Sequence, residues 1–283
     1  MADRSFRTFR RALAVVFLVA AIALLPGPSV AAGDGSTTLR ALQMNLCNSG
    51  RAGCYTGRSV TEAAATIRSG RPDLVTLNEI CRDDTATLRA VLADVHGGGT
   101  VVAAFQAAGD RPSGDVTRCA NGQPFGVGLL LHLPGRHPRH TVRSGIYPAQ
   151  DAIDPEERSW LCITVPGVVR ACTTHLVAGS GPVALAQCRH LLGTVLPAID
   201  DATGYAPTVL SGDLNLRLGG APDVRDCVPS GWSRVDDGAV QQIVAGPEIS
   251  IRSSRPVSLH GTTDHPALLA TLTTHPGSAA VPA

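Results

Sequence analysis

Asp213 and Asn215 stand two residues apart in Ser211-Gly212-Asp213-Leu214-Asn215, directly after the apolar run Pro207-Thr208-Val209-Leu210. In an extended segment, residues i and i+2 share one side, so a carboxylate and a carboxamide at this spacing can converge on one anion or one water. The same residue types also end strands and form turns, so the spacing alone leaves both readings open. Other polar residues recur at the same kind of place. Asn45 follows Leu39–Met44, Glu79 follows Leu74–Asn78, His175 follows Arg170–Thr174, and Asp264-His265 precede Pro266–Leu272. Carboxylates and an amide suit a hard cation such as magnesium, which takes oxygen ligands and keeps several waters. Histidines with ionisation near neutrality suit proton transfer or charge stabilisation.

These residues need elements to hold them. Residues 39–47 alternate as a strand, 61–70 have helix-forming composition with a glycine stop, and 72–81 read as a buried strand. A second helix spans 83–99, opening on acidic residues and closing on glycines. Strands follow at 100–108 and 125–133. Residues 161–172 form a hairpin turning at Pro166-Gly167-Val168, then come a helix over 182–200 and the strand leading to Asp213. Residues 239–253 and 265–275 are strand again. Strands alternating with helices, with hairpins interleaved, indicate a layered α/β fold with mixed sheets. Polar residues at strand ends are then where such a fold builds its site. No repeat or long linker divides the chain, so a single domain is expected over 36–275, with an unstructured tail at 276–283.

The first 32 residues read differently. Arg4, Arg7, Arg10 and Arg11 precede an apolar run from Ala12 to Leu25, and small residues then offer cleavage after Ala31 or Ala32. This is the pattern of a secretory signal peptide, and the run is short for a membrane anchor. A secreted, extracellular protein is expected, with no stable membrane insertion after cleavage. Export explains eight cysteines without C-x-x-C spacing: Cys47, Cys54, Cys81, Cys119, Cys162, Cys172, Cys188 and Cys227. A three-residue hairpin loop sets Cys162 opposite Cys172, and Cys47 with Cys54 closes a short loop. The other four cysteines allow three pairings, of which Cys81–Cys119 with Cys188–Cys227 is the expected one. Every basic residue apart from histidine is arginine, and the chain without residues 1–31 holds 20 arginines against 22 acidic residues. That balance does not supply the basic face of a duplex-binding protein.

In order along the chain, Gln43-Met44-Asn45-Leu46-Cys47, Leu77-Asn78-Glu79-Ile80-Cys81, Cys172-Thr173-Thr174-His175-Leu176, Ser211–Arg217 and Thr262–Leu268 resemble the motifs of the endonuclease/exonuclease/phosphatase superfamily. The resemblance implies a four-layer α/β sandwich with two facing mixed β-sheets, and hydrolysis of phosphate esters assisted by Mg2+ or Mn2+. It makes Glu79 the principal metal ligand, helped by Asn45 and Asp264. It gives Asp213 the attacking water and Asn215 a hydrogen bond to the phosphate. His265 becomes general base or a cation facing the phosphate, and His175 supports the leaving group. The partner implied is a phosphate-ester substrate, nucleic acid among the classes, acted on by a monomer.

Two departures stand out. Where the resemblance implies an aspartate that orients the general-base histidine, this chain has Gln241, with Asp236 or Asp237 as substitutes from the preceding loop. Cys81 takes the place of an arginine that grips DNA in deoxyribonuclease-like members. The reading is therefore a phosphodiesterase or nuclease, with a sphingomyelinase-like phospholipid phosphodiesterase and a catalytically inactive binding module on the same scaffold as alternatives.

Overall fold

The computed structural model describes residues 36–135 and 139–275. The expected signal peptide and C-terminal tail lie outside the described residues. In chain order, the first half consists of β1 (Thr37–Asn45), α1 (Ser59–Gly70), β2 (Leu74–Cys81), α2 (Arg82–His96), β3 (Thr100–Ala107), β4 (Gly109–Asp110), β5 (Asp115–Val116) and β6 (Phe125–Leu133). Then follow β7 (Thr141–Ile146), β8 (Glu156–Glu157), β9 (Ser159–Val165), β10 (Val169–His175), α3 (Gly181–His190) and α4 (Leu196–Thr203). The chain closes with β11 (Thr208–Asp213), β12 (Ser233–Asp236), β13 (Gln241–Ala245), β14 (Ile249–Val257) and β15 (Ala267–Thr274).

Two six-stranded sheets result, ordered β14-β15-β1-β2-β6-β3 and β12-β13-β11-β10-β9-β7. Each is mixed, with a parallel pair near its middle: β1 beside β2 in the first sheet, β10 beside β11 in the second. Their facing sides bury an apolar layer that includes Leu129, Leu131, Leu161, Ile163, Val209 and Leu268. On the outer side of the first sheet, Ala63, Ile67, Leu88 and Leu92 of α1 and α2 pack against Leu42, Val75 and Leu130. On the outer side of the second, Leu191, Leu192, Leu196 and Ile199 pack against Cys162, Cys172 and Leu210. The order helix, sheet, sheet, helix is the four-layer sandwich that the motifs imply.

Local chemistry explains the element ends. Helix α2 starts where the Asp84 carboxylate accepts the Cys81 backbone N–H at 2.8 Å, and it stops at Gly97, whose φ of 68° a glycine adopts without cost. The loop of Pro166-Gly167-Val168 pairs Val165 with Val169 and brings Cys162 opposite Cys172. Disulfides join Cys47–Cys54, Cys81–Cys119, Cys162–Cys172 and Cys188–Cys227.

Periodicity missed several features, the short strands β4, β5, β8 and β12 among them. Strand β7 reads Thr-Val-Arg-Ser-Gly-Ile and is largely exposed, so it has no apolar alternation to reveal it. Residues 239–253 are not one continuous strand either. Gly246-Pro247 breaks the run, and β13 belongs to the second sheet while β14 forms the edge of the first.

Candidate active site

The two parallel pairs end at the same pole of the sandwich. In the first sheet Asn45 lies beside Asn78, one residue before Glu79; in the second His175 lies beside Asp213. Sheet packing then joins the two. The Asn45 Nδ2 donates to Glu79 Oε1 at 2.8 Å and to Asp213 Oδ2 at 3.2 Å, the second bond joining residues 168 apart in sequence. Asn78 locks the sheets together, donating to Thr174 O at 3.1 Å and accepting the Asp213 backbone N–H at 2.7 Å.

Glu79 reaches this point through an irregular backbone. Its φ is 56°, and the β2–β6 register shifts between Leu77 and Ile80. A non-glycine residue held in the left-handed region costs roughly 1–3 kcal/mol; the bulge re-aims the carboxylate out of the sheet plane. Asn45 Nδ2 occupies Glu79 Oε1, while Oε2 accepts no hydrogen bond among the described residues. Asn45 Oδ1 accepts the Cys47 N–H at 3.1 Å. An oxygen-rich donor set with an open carboxylate oxygen fits a hard divalent ion. Asp264 stands at the rim, more than half exposed, and the single Thr263 hydroxyl proton is shared between its Oδ1, at 3.2 Å, and the Asn45 backbone carbonyl, at 3.1 Å.

Asp213 is almost wholly buried, and three groups hold it. Oδ2 accepts from Gln241 Nε2 at 2.7 Å and from Asn45; Oδ1 accepts the Asn215 backbone N–H at 3.1 Å. His265 Nε2 lies 3.7 Å from Oδ2. Gly212 permits this crowding, because a Cβ there would lie 2.1 Å from Thr174 O. The expected extended path through Asn215 is corrected. Asn215 has a φ of 49° and its Nδ2 donates to Leu176 O at 2.8 Å, so it turns the chain out of the strand instead of continuing it. The alternation rule holds only while the backbone stays extended.

Gln241 does not face His265. It is fully buried and joins Asp213 to Gln43, whose Nε2 donates to Gln241 Oε1 at 3.0 Å. The carboxylates nearest His265 Nε2 are Asp213, at 3.7 Å, and Asp264, at 3.8 Å, while Asp237 stands in the loop before β13. Burial pushes the Asp237 carboxyl above its ordinary range, against backbone hydrogen bonds from Ala239 and Gln241 and the charge of His265. Its Oδ2 is buried without a hydrogen-bond partner.

His175 has a partner that the sequence does not announce. The Arg158 guanidinium lies 3.0 Å from His175 Nδ1. A guanidinium only donates, so Nδ1 accepts, and the imidazole proton sits on Nε2, 3.9 Å from Glu79 Oε1. Arg158 is itself buried between Asp154, at 2.8 Å, and Glu156, at 3.2 Å. Burial works against its charge, yet these carboxylates and Glu79 outweigh it and raise its pKa. Glu156 is raised too, by burial first, against the opposing charges of Arg158 and His175. Sequence reading missed Gln43, Asn78 and Arg158. Asn78 left a signal, a polar residue inside a strand buried on both faces. Arg158 left none, because it sits on the long connection between β7 and β9.

Of the seven residues singled out, the structure thus brings Asn45, Glu79, His175, Asp213 and His265 together. Asp264 borders them, and Asn215 is committed to the adjoining loop.

No protein-family model and no curated protein matches the sequence. Solved structures do match the fold. An endonuclease/exonuclease/phosphatase protein from Beutenbergia cavernae is 21% identical with a TM-score of 0.60, over 84% of this chain and 72% of that one. The human nocturnin catalytic domain with bound sulfate is 17% identical with a TM-score of 0.61, over 83% and 93%. D. rerio TDP2 complexed with a single-strand DNA product is 16% identical with a TM-score of 0.54, over 83% and 99%. The chain has the endonuclease/exonuclease/phosphatase fold.

Proposed function

We propose that this chain is an exported, divalent-metal-dependent hydrolase of phosphate esters, acting on a phosphodiester. The observation that carries the reading is the convergence of Glu79, Asn45, Asp213, His175 and His265 from the parallel strand ends of two separate sheets and the loop before β15. Glu79 and Asn45, with Asp264 at the rim, would hold magnesium or manganese, which neutralises charge on the phosphate when bound.

The chain's own groups supply the rest. Asp213, fixed by Gln241, Asn45 and the Asn215 N–H, orients the attacking water through a carboxylate that cannot rotate freely. His265 takes up the proton or faces the phosphate as a cation, beside Asp213 and within the field of Asp237. His175, with its proton on Nε2, donates toward developing negative charge on the leaving side. Pre-aimed donors in a water-poor site gain strength because they need no reorganisation during reaction. Asn215 shapes the loop and offers its amide from the site's edge. The bound sulfate of nocturnin and the bound DNA product of TDP2 support an anionic phosphodiester as ligand for this fold. Export rests on the N-terminal signal pattern and is supported by four disulfides.

Hydrolysis of bis(p-nitrophenyl) phosphate by the oxidised protein, with magnesium, with manganese and with EDTA, tests the reading beside Glu79→Ala. Metal-dependent release that the variant loses is the expected result. Full turnover in EDTA, or in Glu79→Ala, would sink the metal role.

A further inference from the structure

A second cluster of ligand-type side chains lies at the opposite pole. Asp73 precedes β2, His96 ends α2, and His132 lies near the end of β6. One donor atom from each falls within 4.8 Å of the other two. From Asp73 to Glu79 is six residues of strand, roughly 20 Å at 3.3 Å per residue, so the cluster is separate from the candidate active site.

Its polar groups are half satisfied in an informative way. His132 Nε2 lies 2.9 Å from Gly98 O, and His96 Nε2 lies 2.8 Å from Pro72 O. Carbonyls only accept, so both rings carry their proton on Nε2 and keep a lone pair on Nδ1. His132 is more than nine-tenths buried, and its Nδ1 has no hydrogen-bond partner. That orphaned nitrogen lies 3.8 Å from Asp73 Oδ1. Asp73 Oδ2 is already held by the Arg40 N–H at 2.9 Å, which leaves Oδ1 to face the histidines. An imidazole whose Nε2–H is anchored on a backbone carbonyl, with Nδ1 bare, has the arrangement of a metal-ligating histidine. A cavity of about 350 Å3, lined by Asp73, His132, Leu131, Leu133 and Val168, opens onto the group.

We infer that Asp73, His96 and His132 form a binding site for a borderline divalent ion of the zinc class, distinct from the hard-ion site at Glu79. Two imidazoles and one carboxylate suit zinc, which binds nitrogen and oxygen at about 2.0–2.2 Å. Donors on a tetrahedral zinc stand about 3.3 Å apart at such bond lengths, so the 3.8 Å and 3.9 Å separations from Asp73 close by about half an ångström. His132 ligates in place through Nδ1. His96 stacks on His132 with ring centroids 3.6 Å apart and ligates through Nε2 by tilting out of that stack, giving up its bond to Pro72 O while the ring proton passes through water to Nδ1. Water from the cavity completes the shell.

The test uses the full oxidised chain, stripped with EDTA, carrying Glu79→Ala so that the other site is crippled. Zinc binding is measured by equilibrium dialysis, and cobalt binding by its visible absorption, which reports coordination number. One zinc equivalent and a four-coordinate cobalt spectrum are expected. Adding His96→Gln or Asp73→Asn should weaken zinc by about 100-fold or more, as a lost direct ligand costs at least what a supporting residue does. Circular dichroism checks that each variant is folded. His96→Gln in the otherwise unaltered chain should keep its hydrolytic rate. Equal zinc binding with and without His96→Gln and Asp73→Asn, or none in Glu79→Ala at tenfold excess zinc, would overturn the site and leave the histidine stack as packing alone. The inference stands apart from the proposed hydrolysis, since an inactive chain would still bind the ion.

Discussion

Between the facing sheets, the middle of the sandwich and its site pole are built from opposite materials. In the middle, Leu129, Leu131, Leu161 and Ile163 meet across the gap with no polar atom among their side chains. Toward the site, Thr76, Gln43, Asn78, Gln241 and Asp213 form a continuous hydrogen-bonded chain instead, with Thr76 Oγ1 2.8 Å from Ser211 Oγ of the opposite sheet. Apolar packing is tolerant of sliding, because dispersion and water exclusion have little directionality. A buried polar chain is intolerant, since each broken bond strands a desolvated group. The comparison teaches where this fold keeps its registration. The apolar middle supplies cohesion, and the polar seam fixes one sheet against the other where Asn45 must reach Asp213.

The sharpest way to break this contrast is at the site itself. Asp213→Asn keeps the shape of the side chain and is expected to lower phosphodiester turnover by about 1,000-fold or more, equivalent to ~4 kcal/mol of transition-state stabilisation. Its melting temperature should fall as well, because the groups facing both carboxylate oxygens donate and the new amide nitrogen cannot accept from them, so turnover is read per folded molecule. A rate within tenfold of wild type would remove Asp213 from the chemistry. In the apolar middle the pattern should invert. Leu161→Ala empties space between the sheets and should cost about 2–5 kcal/mol of stability, read by denaturant unfolding, while turnover per folded molecule is retained.

The seam should fall between these extremes and affect both readouts. Thr76→Val removes a buried hydroxyl that joins Gln43 to Ser211. Leaving those partners unpaired should cost about 1–3 kcal/mol, with a parallel loss of turnover as the sheets lose their registration. Adding Ser211→Ala should recover part of the stability, because one stranded group disappears. Non-recovery in the double variant would show that the seam acts through shape and not hydrogen bonding.

The smallest effect is expected at the rim. Burial raises the Asp237 carboxyl from its ordinary value near 3.8, so the native state holds that proton more tightly than the unfolded chain does. Its contribution therefore favours folding below pH about 4 and is lost as pH rises through the higher native value. Asp237→Asn abolishes this titration. Wild-type stability minus that of the variant should decline from pH 3.5 to 7, by a few degrees of melting temperature at most. A difference that is flat with pH would mean that Asp237 is solvated in the native protein.

Much was legible in the sequence because it was local. Apolar runs with glycine or acidic ends marked α1, α2 and most strands, since side-chain direction follows backbone period. The loop of Pro166-Gly167-Val168 placed Cys162 against Cys172 because a hairpin's register follows from its loop length. Asn45, Glu79, His175 and Asp213 could be named because strand ends are visible as polar residues closing apolar runs. Only the tertiary structure decided which ends meet. Arg158 reaching His175, Gln241 binding Asp213, and Asn215 turning into the left-handed region depend on how two sheets and their loops pack. Asn45 and Asp213, 168 residues apart, are joined by a seam of buried amides. No periodicity encodes such a contact, because it belongs to the space between two elements and not to the repeat of either one.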